Sequence, residues 1–226
     1  MTTLISSGRL EIDGSSQTGW QANTAVVGSN AQLPIDISGV KLALNNSPDT
    51  LLRGVVLRGP SALLSMGAGA VEGSFIGVSQ DGNTLATTQG NTAQLNCGGA
   101  CRIGGSAPAQ RNLITADSNS ITDTIHITGA GAVVEGNLIG LRRDGLTRLV
   151  VPNPPTGVQF ATGIALAFGS SGAQIRNNSI GGFMVGIRTE GGNSLVEDNR
   201  VGVGDDGITA AGNIGSGAGR KGNVDS

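Results

Sequence analysis

The sequence predicts an all-β fold, a right-handed, single-stranded parallel β-helix in which short coils stack into a solenoid. Three segments, 71–84, 134–147 and 196–209, align without gaps at nearly equal spacings, and self-similarity at a fixed spacing is typical of solenoids. Short alternating apolar runs lie between Gly, Asn and Asp at distances too short for helices. Glycine supplies 39 of 226 residues, which suits a chain with many turns.

A smaller unit recurs inside the long repeat. A small polar residue precedes an Ile or Val by two positions at Ser74, Asn112, Asn137, Asn178 and Asn199. The last interval, from Asn178 to Asn199, is one third of the long spacing, so we expect one coil in that interval and three coils per long repeat. Asn tolerates left-handed backbone angles and bonds to nearby backbone groups, so these residues suit tight corners. We expect stacked corners to align them in a ladder.

Composition and charge bound the class of protein. No shift in composition marks a second domain, so we expect one β-helix domain over 1–226, either complete or part of a longer helix. The net charge is -2 and no Lys/Arg run is present, which argues against a nucleic-acid partner. The longest apolar stretches are far shorter than a membrane span. Residues 1–9 lack the pattern of a secretory signal.

The two cysteines, Cys97 and Cys101, enclose a short Gly-Gly-Ala stretch. We expect a disulfide rather than free thiols, which would fit an oxidising compartment. A zinc site would need about four ligands, and His126 is the only histidine. Zinc is therefore disfavoured.

Several motifs resemble a known family. They are an Ile-Asp-Gly-Ser-Ser-Gln opening at 12–17 with Gly19, the Gly-Asn-x-Ile-Gly coils, and Ile-Gly-Gly at 103–105 followed by Arg-Asn-Leu-Ile at 111–114. The chain resembles a bacterial family of extracellular right-handed parallel β-helix repeat proteins within the pectate-lyase-like superfamily. The resemblance spans residues 12 to about 207. It implies the fold and a secreted or cell-surface location.

The chain departs from that family after the Ile-Gly pairs. Where the family usually has Thr-Asp, this chain has Val-Ser at 78–79, Leu-Arg at 141–142 and Val-Gly at 203–204. The resemblance therefore supplies no catalytic residues, and a shared fold does not give a function.

Candidate catalytic residues lie in the Asp-Gly turns of the repeat. Asp81, Asp144 and Asp206 each precede glycine at the same repeat position, which tight-turn geometry alone explains. At three coils per repeat and roughly 4.8 Å per coil, equivalent carboxylates would lie about 14 Å apart. That separation exceeds the ~5 to 9.5 Å of a hydrolase carboxylate pair.

Weaker site hypotheses remain at non-repeating positions. Arg142 or Arg143 beside Asp144 has the pattern of a lyase proton acceptor, although a solvated Arg-Arg-Asp turn is the favoured interpretation of these residues. Asp205 and Asp206 are further candidate catalytic acids. With Asp198, they are also candidate ligands for calcium, the only cofactor that the sequence suggests.

The functional expectation follows from where the insertions and the tail lie in the repeat. Insertions at 85–100 and 148–162, and the tail 210–226, all follow the Asp-Gly-x-Thr element, so we expect them on one edge, where binding usually occurs. The sequence favours a non-catalytic extracellular scaffold, adhesin-like or structural, that binds protein or polysaccharide there. The alternatives are a polysaccharide lyase, hydrolase or epimerase, and a subunit that self-associates end to end through its last coil. With no Tyr, one Trp and four Phe, an extended sugar-stacking platform is hard to build.

Overall fold

The computed structural model describes residues 2–6, 8–47, 49–59, 64–86, 95–116, 123–149, 162–190 and 193–213. Within them the chain winds through seven coils of three strands each. Coil 1 has β1 (Thr2–Ile5), β2 (Glu11–Asp13) and β3 (Asp36–Ser38); coil 2 has β4 (Val40–Leu44), β5 (Leu51–Arg53) and β6 (Val56–Arg58); coil 3 has β7 (Leu64–Met66), β8 (Gly69–Glu72) and β9 (Phe75–Ile76); coil 4 has β10 (Leu95–Cys97), β11 (Cys101–Gly104) and β12 (Leu113–Ile114). Coil 5 has β13 (Asp123–Ile127), β14 (Val133–Glu135) and β15 (Leu138–Ile139); coil 6 has β16 (Thr162–Leu166), β17 (Gln174–Arg176) and β18 (Ser179–Ile180); coil 7 has β19 (Val185–Thr189), β20 (Leu195–Glu197) and β21 (Arg200–Val201).

Each strand pairs in parallel with its counterparts in the neighbouring coils. The first strands of all coils form sheet A, the second strands form sheet B and the third strands form sheet C, with seven strands in each. Two short 3-10 helices, Gly14–Ser16 and Pro108–Gln110, lie between sheets B and C. The prediction of a parallel β-helix is confirmed. No helix among the described residues is long and apolar enough to cross a membrane.

The interior of the coils holds one continuous apolar core. In register along sheet A, one inward row contains only Leu and Ile: Leu42, Leu64, Leu95, Ile125, Ile164 and Ile187. All are at most 2% exposed. Because each coil stacks the same residue type on its neighbours, burial of these rows drives the stacking.

The prediction of three coils per repeat is wrong, because the structure has two. The three aligned segments lie in coils 3, 5 and 7, with one coil between each pair. The interval from Asn178 to Asn199 does span one coil. Coils 4 and 6, however, follow hairpins and longer connections, so two coils fill the long repeat. Equivalent turn residues are therefore separated by roughly 9.6 Å rather than 14 Å.

The predicted asparagine ladder is confirmed at the corner between sheets B and C. The Nδ2 of Asn112 donates to Oδ1 of Asn137, that of Asn137 to Asn178 and that of Asn178 to Asn199, each at 2.9 Å. The same Oδ1 atoms also accept from backbone N–H groups, and Ser74 N–H donates to Asn112 Oδ1. These asparagines are at most 5% exposed, so the ladder satisfies polar groups that water does not reach.

A second apolar layer covers the outer face of sheet C. After Asp36 on coil 1, the outward row has Val56, Phe75, Leu113 and Leu138 on coils 2 to 5, and these four apolar residues are at most 1% exposed. Side chains from outside the three sheets pack over this row and complete the cluster: Ala31, Leu33, Val78, Leu141, Leu149 and Ala211. Sheet C is therefore buried on both faces along most of its length.

The outer face of sheet B carries alternating charges. Acids on odd-numbered coils pair with arginines on the next even-numbered coil: Asp13 with Arg53, Glu72 with Arg102, and Glu135 with Arg176. The last two pairs have N–O separations of 2.9 and 3.2 Å. Because the arginines are between 34% and 42% exposed, each pair contributes little alone, but the alternation distinguishes odd coils from even ones.

Cys97 and Cys101 are joined by a disulfide at the corner between sheets A and B of coil 4. Both side chains point into the core and are at most 1% exposed. Half of the first predicted insertion (87–94), most of the second (150–161) and the tail from 214 onward lie outside the described residues. The place of these segments on one edge therefore stays a prediction.

We predict that Asn137→Ala destabilises the fold by about 2 to 3 kcal/mol, because it leaves buried donors of Asn112 without an acceptor. Asn83→Ala is the control, since Asn83 is exposed on a turn, and we expect a change below about 0.5 kcal/mol. Urea denaturation measures both. Equal losses in the two variants would contradict a structural role for the ladder.

Candidate functional site

Three stacked hairpins project beyond sheet C and form the candidate site. Hairpins 1, 2 and 3 span 78–85, 141–148 and 203–210, and each closes with one antiparallel bridge: Val78 to Leu85, Leu141 to Arg148, and Val203 to Ala210. They stack directly, because Arg143 N–H donates to the Gly82 carbonyl at 2.9 Å and Asp205 N–H donates to that of Gly145 at 2.8 Å. We call this surface the hairpin edge.

The aspartates of the three Asp-Gly turns accept hydrogen bonds from groups within their own turns. Asp144 Oδ1 accepts from the backbone N–H groups of Leu146 and Thr147, both at 2.8 Å, and its Oδ2 accepts from the Thr147 hydroxyl at 2.7 Å. Asp206 repeats this arrangement in hairpin 3. Asp81 accepts from the Ser79 hydroxyl and from the backbone N–H of Asn83.

These hydrogen bonds favour the ionised carboxylates. The Ser79 hydroxyl and then the Asn83 N–H lower the pKa of Asp81, and the Thr209 hydroxyl and nearby N–H groups lower the pKa of Asp206. For Asp144, burial acts in the opposite direction and is the largest single influence, but the bonds from Thr147 and Leu146 outweigh it and lower the pKa. All three turns therefore present carboxylates that stay charged to unusually low pH.

Asp205 points inward, away from its neighbour Asp206. Its Oδ2 accepts from Arg111 at 2.8 Å and from the Gly28 N–H at 2.9 Å, and its Oδ1 accepts from the Ser179 hydroxyl at 2.8 Å. Its side chain is 4% exposed and that of Arg111 is 14% exposed. Burial lowers the pKa of Arg111, which the charge of Asp205 partly offsets. Asp205 is thus the acid of a buried ion pair.

The structure does not assemble the proposed calcium ligands. Asp205 is committed to Arg111, Asp206 to its own turn, and Asp198 lies at a corner with φ of 54°. The described part of the chain holds no group of three or more His, Cys, Asp or Glu side chains that could bind a metal ion. Calcium binding stays a prediction without a ligand set from this part of the chain.

A strap that the sequence did not predict crosses all three hairpins. This segment, residues 20–35, connects coil 1's sheets B and C and runs along the outside of the stack. Gln80 donates to the Leu33 carbonyl at 2.7 Å in hairpin 1, and Arg143 donates to those of Ser29 and Ala31 in hairpin 2. In hairpin 3, Asp205 accepts from the strap. Gln80, Arg143 and Asp205 are equivalent residues of the three repeats. Each hairpin therefore binds the strap through the same repeat position.

Gly28 marks the closest approach of the strap to the hairpins. Its φ is +69°, and a Cβ there would lie 2.7 Å from the carbonyl oxygens of both Arg143 and Asp144. Only glycine fits this position without displacing the strap. The strap also accepts from Arg111 through the carbonyls of Val26 and Gly28, at 3.0 and 2.7 Å.

An open, shallow groove of about 440 Å³ lies where the strap meets hairpins 1 and 2. Its lining comprises Ala25, Val27, Ser29, Asn30, Asn83, Arg143 and Asp144. Of the sequence-predicted residues, only Arg143 and Asp144 lie here. Arg142 is exposed on hairpin 2, while Asp205 lies beneath the strap. The sequence signal for this site was the non-repeating residue in an otherwise repeating turn.

Comparison with known proteins adds no relative: no family model matches the chain, and neither a curated protein nor a solved structure does.

We predict that Asp205→Ala costs about 3 kcal/mol of stability, because Arg111 is left as a largely buried, unpaired charge. Hydrogen exchange of the Gly28 and Ser29 amides should accelerate far more than that of the sheet amides. Asp206→Ala, with the same charge change on an exposed turn, is the control and should leave strap exchange nearly unchanged. Equal acceleration of strap hydrogen exchange in the two variants would contradict the role of Asp205 in holding the strap.

We also predict an acid-dependent loss of stability from the three turn carboxylates. Their folded pKa values are lowered, so their contribution is complete above the unfolded value near ~3.9 and is lost as pH falls further. The free energy of unfolding should therefore decrease between about pH 4 and pH 2. A triple variant, Asp81→Asn, Asp144→Asn and Asp206→Asn, should lose less over that range, and an identical decrease in both proteins would count against the assignment.

Proposed function

We propose that the protein is a non-catalytic extracellular β-helix scaffold, adhesin-like or structural, that binds protein or polysaccharide at its hairpin edge. The observation that carries this proposal is that the polar side chains at that edge are hydrogen-bonded within the protein itself. The turn carboxylates hold their own hairpins, and the side chains of Gln80, Arg143 and Asp205 hold the strap. The edge is thereby built as a fixed surface.

The direction of the pKa shifts favours binding over catalysis. A general acid in a glycosidase or lyase needs a pKa raised toward the working pH, whereas the pKa values of Asp81, Asp144 and Asp206 are lowered. Asp205 is enclosed by Arg111, Ser179 and the strap, so a substrate would have to displace the strap to reach it.

Exposed apolar side chains support a binding role for the hairpin edge. On the strap, Val26 is 82% exposed and Val27 is 40% exposed, and Ile208 at the tip of hairpin 3 is 85% exposed. Single exposed apolar residues are ordinary, but Val27 lines the groove, and the strap and hairpin 3 adjoin through the bond from Gly28 to Asp205. Both elements are fixed by buried bonds, so little ordering would oppose binding.

An oxidising location is supported by the buried disulfide at coil 4, since such bonds persist mainly in secreted and cell-surface proteins. The resemblance to extracellular β-helix repeat proteins points in the same direction.

Binding arrays of glycans and of extracellular matrix proteins, probed with the purified chain, test the proposal. Any bound ligand should lose affinity about tenfold or more with Val27→Asp, which places a desolvated charge in the groove. Phe168→Asp is the matched control, because Phe168 is 84% exposed at the corner between sheets A and B. Equal loss in both variants would place binding elsewhere.

Turnover is measured on the same glycans, with and without calcium, by absorbance of unsaturated products and by reducing-end release. We expect none. Turnover that Asp144→Asn or Asp206→Asn abolishes would overturn the proposal in favour of a polysaccharide-active enzyme.

A further inference from the structure

The guanidinium of Arg143 keeps unused hydrogen-bond donors at the groove between the strap and hairpins 1 and 2. Of the five N–H groups of a guanidinium, Arg143 uses that of Nε on the Ser29 carbonyl and one of Nη2 on the Ala31 carbonyl. The others have no acceptor among the described residues. Arg143 is therefore held in place by the strap and still has charged donors for a ligand.

Asp144 supplies a charged acceptor beside these donors. Its carboxylate has about four lone-pair sites. Oδ1 accepts from the N–H groups of Leu146 and Thr147, and Oδ2 accepts from the Thr147 hydroxyl. No described residue donates to the remaining site on Oδ2. Because Arg143 and Asp144 are adjacent in the chain and both line the groove, a ligand there meets a charged donor and a charged acceptor together.

Two asparagines, one on hairpin 1 and one on the strap, add neutral groups to this set. Asn83 donates through Nδ2 to the Asp81 carbonyl at 3.1 Å, and its Oδ1 accepts no hydrogen bond from the described residues. Asn30 donates one Nδ2 N–H to the Thr24 hydroxyl at 2.9 Å, and the described residues offer the other N–H no acceptor. Both asparagines are exposed and line the groove.

Asn23 fixes the strap side of the groove. It is 2% exposed, and its Oδ1 accepts from the N–H groups of Ala25 and Asn30 at 3.1 and 3.0 Å. Its Nδ2 donates to the Pro108 carbonyl at 3.0 Å. Ala25 and Asn30 both line the groove. The lining is thus in place before a ligand arrives, which reduces the entropy that is lost on binding.

The charges of the groove favour a neutral ligand. Its lining carries one cation, Arg143, and one anion, Asp144, and Arg142 and Asp81 on the same two hairpins also have opposite charges. What an acidic ligand gains at Arg143 it loses at Asp144, and a basic ligand meets the reverse. A hydroxyl group donates and accepts without a charge. Neighbouring hydroxyls of one sugar ring therefore suit this adjacent donor and acceptor.

The size and apolar content of the groove favour a sugar over a protein. Its volume of about 440 Å³ lies within the range of small-ligand sites, about 300 to 1,000 Å³. Among its lining residues only Ala25 and Val27 are apolar. They suffice to cover the C–H face of a sugar ring, but a protein interface needs an apolar core and about 800 Å² on each partner.

We propose that this groove binds a short neutral glycan, one sugar unit of which bridges Arg143 and Asp144 through neighbouring hydroxyls. The amides of Asn30 and Asn83 bond to other hydroxyls of the glycan, and Val27 packs against its C–H groups. This inference rests on the binding role proposed for the hairpin edge, and it selects a polysaccharide rather than a protein as the ligand there.

A nuclear magnetic resonance titration of the full chain tests the ligand class. The neutral probes are cellobiose, maltose, mannobiose and galactobiose. The charged counterparts are the glucosamine disaccharide and digalacturonic acid. We expect at least one neutral disaccharide to shift the amide signals of Ser29, Asn30 and Asn83, with a dissociation constant on the order of 1 mM. Its charged counterparts should bind at least about fivefold more weakly.

Two results of this titration overturn the proposal. One is the absence of a shift at these amides with every neutral disaccharide up to about 20 mM, well above the expected constant. The other is tighter binding of a charged disaccharide than of every neutral one.

Asp144→Asn removes the charged acceptor and should weaken binding of the neutral disaccharide about tenfold. Asp206→Asn is the matched control, because Asp206 makes the same turn hydrogen bonds in hairpin 3 and does not line the groove. It should leave the affinity unchanged. Asn83→Ala should weaken binding about threefold. Equal affinities of the Asp144 and Asp206 variants would place the sugar elsewhere and overturn the proposal.

The two proposals for the hairpin edge fail in different ways. If a matrix protein binds and loses affinity with Val27→Asp, while no neutral disaccharide shifts the groove amides, the edge is a binding surface and the sugar assignment is wrong. If neither the arrays nor the titration finds a ligand at this edge, both proposals are wrong.

Discussion

A hairpin is two strands wide, and two strands occupy the same height as two coils of a β-helix. Hairpins that stack directly on one another can therefore occur only on every second coil, and here they follow coils 3, 5 and 7. This constraint sets the length of the sequence repeat. The charges on sheet B have the same two-coil period, since odd coils carry acids there and even coils carry arginines.

The stacked hairpins convert sheet C from a surface into an interior. Apolar residues on both faces of β9, β12 and β15 are buried, because the hairpins and the strap form a second layer over the outer face. The polar end of this layer is closed by the buried pair of Asp205 and Arg111. The strap thus ties the first coil to the last hairpin along the full length of the stack.

The elements that repeat could be predicted from the sequence, and those that occur once could not. The Asn ladder and the parallel coils follow from local corner chemistry at Asn137, Asn178 and their equivalents. The predicted number of coils per long repeat was wrong, because hairpins and connections add residues that the single interval from Asn178 to Asn199 does not reveal. The strap at residues 20–35 has no counterpart in the other coils that the structure describes, so no periodicity indicates where it lies.

At the candidate site, a position that differs between repeats has a structural role. Gln80, Arg143 and Asp205 break the repeat at one position, a pattern that also suits an active site. The structure assigns these three residues to holding the strap. Only Arg143 and Asp144 of the sequence candidates reach the groove, because the fold of the strap, which the sequence did not indicate, decides which turn residues face solvent.

The direct stacking of the hairpins is tested by one distance. Spin labels at Asn83→Cys and Ile208→Cys, both on exposed hairpin tips, report the separation of hairpins 1 and 3 by pulsed electron paramagnetic resonance. Four coils at roughly 4.8 Å each predict about 19 Å between these positions. A separation near 29 Å, the value for about six coils, would contradict a two-coil repeat and the edge built from it.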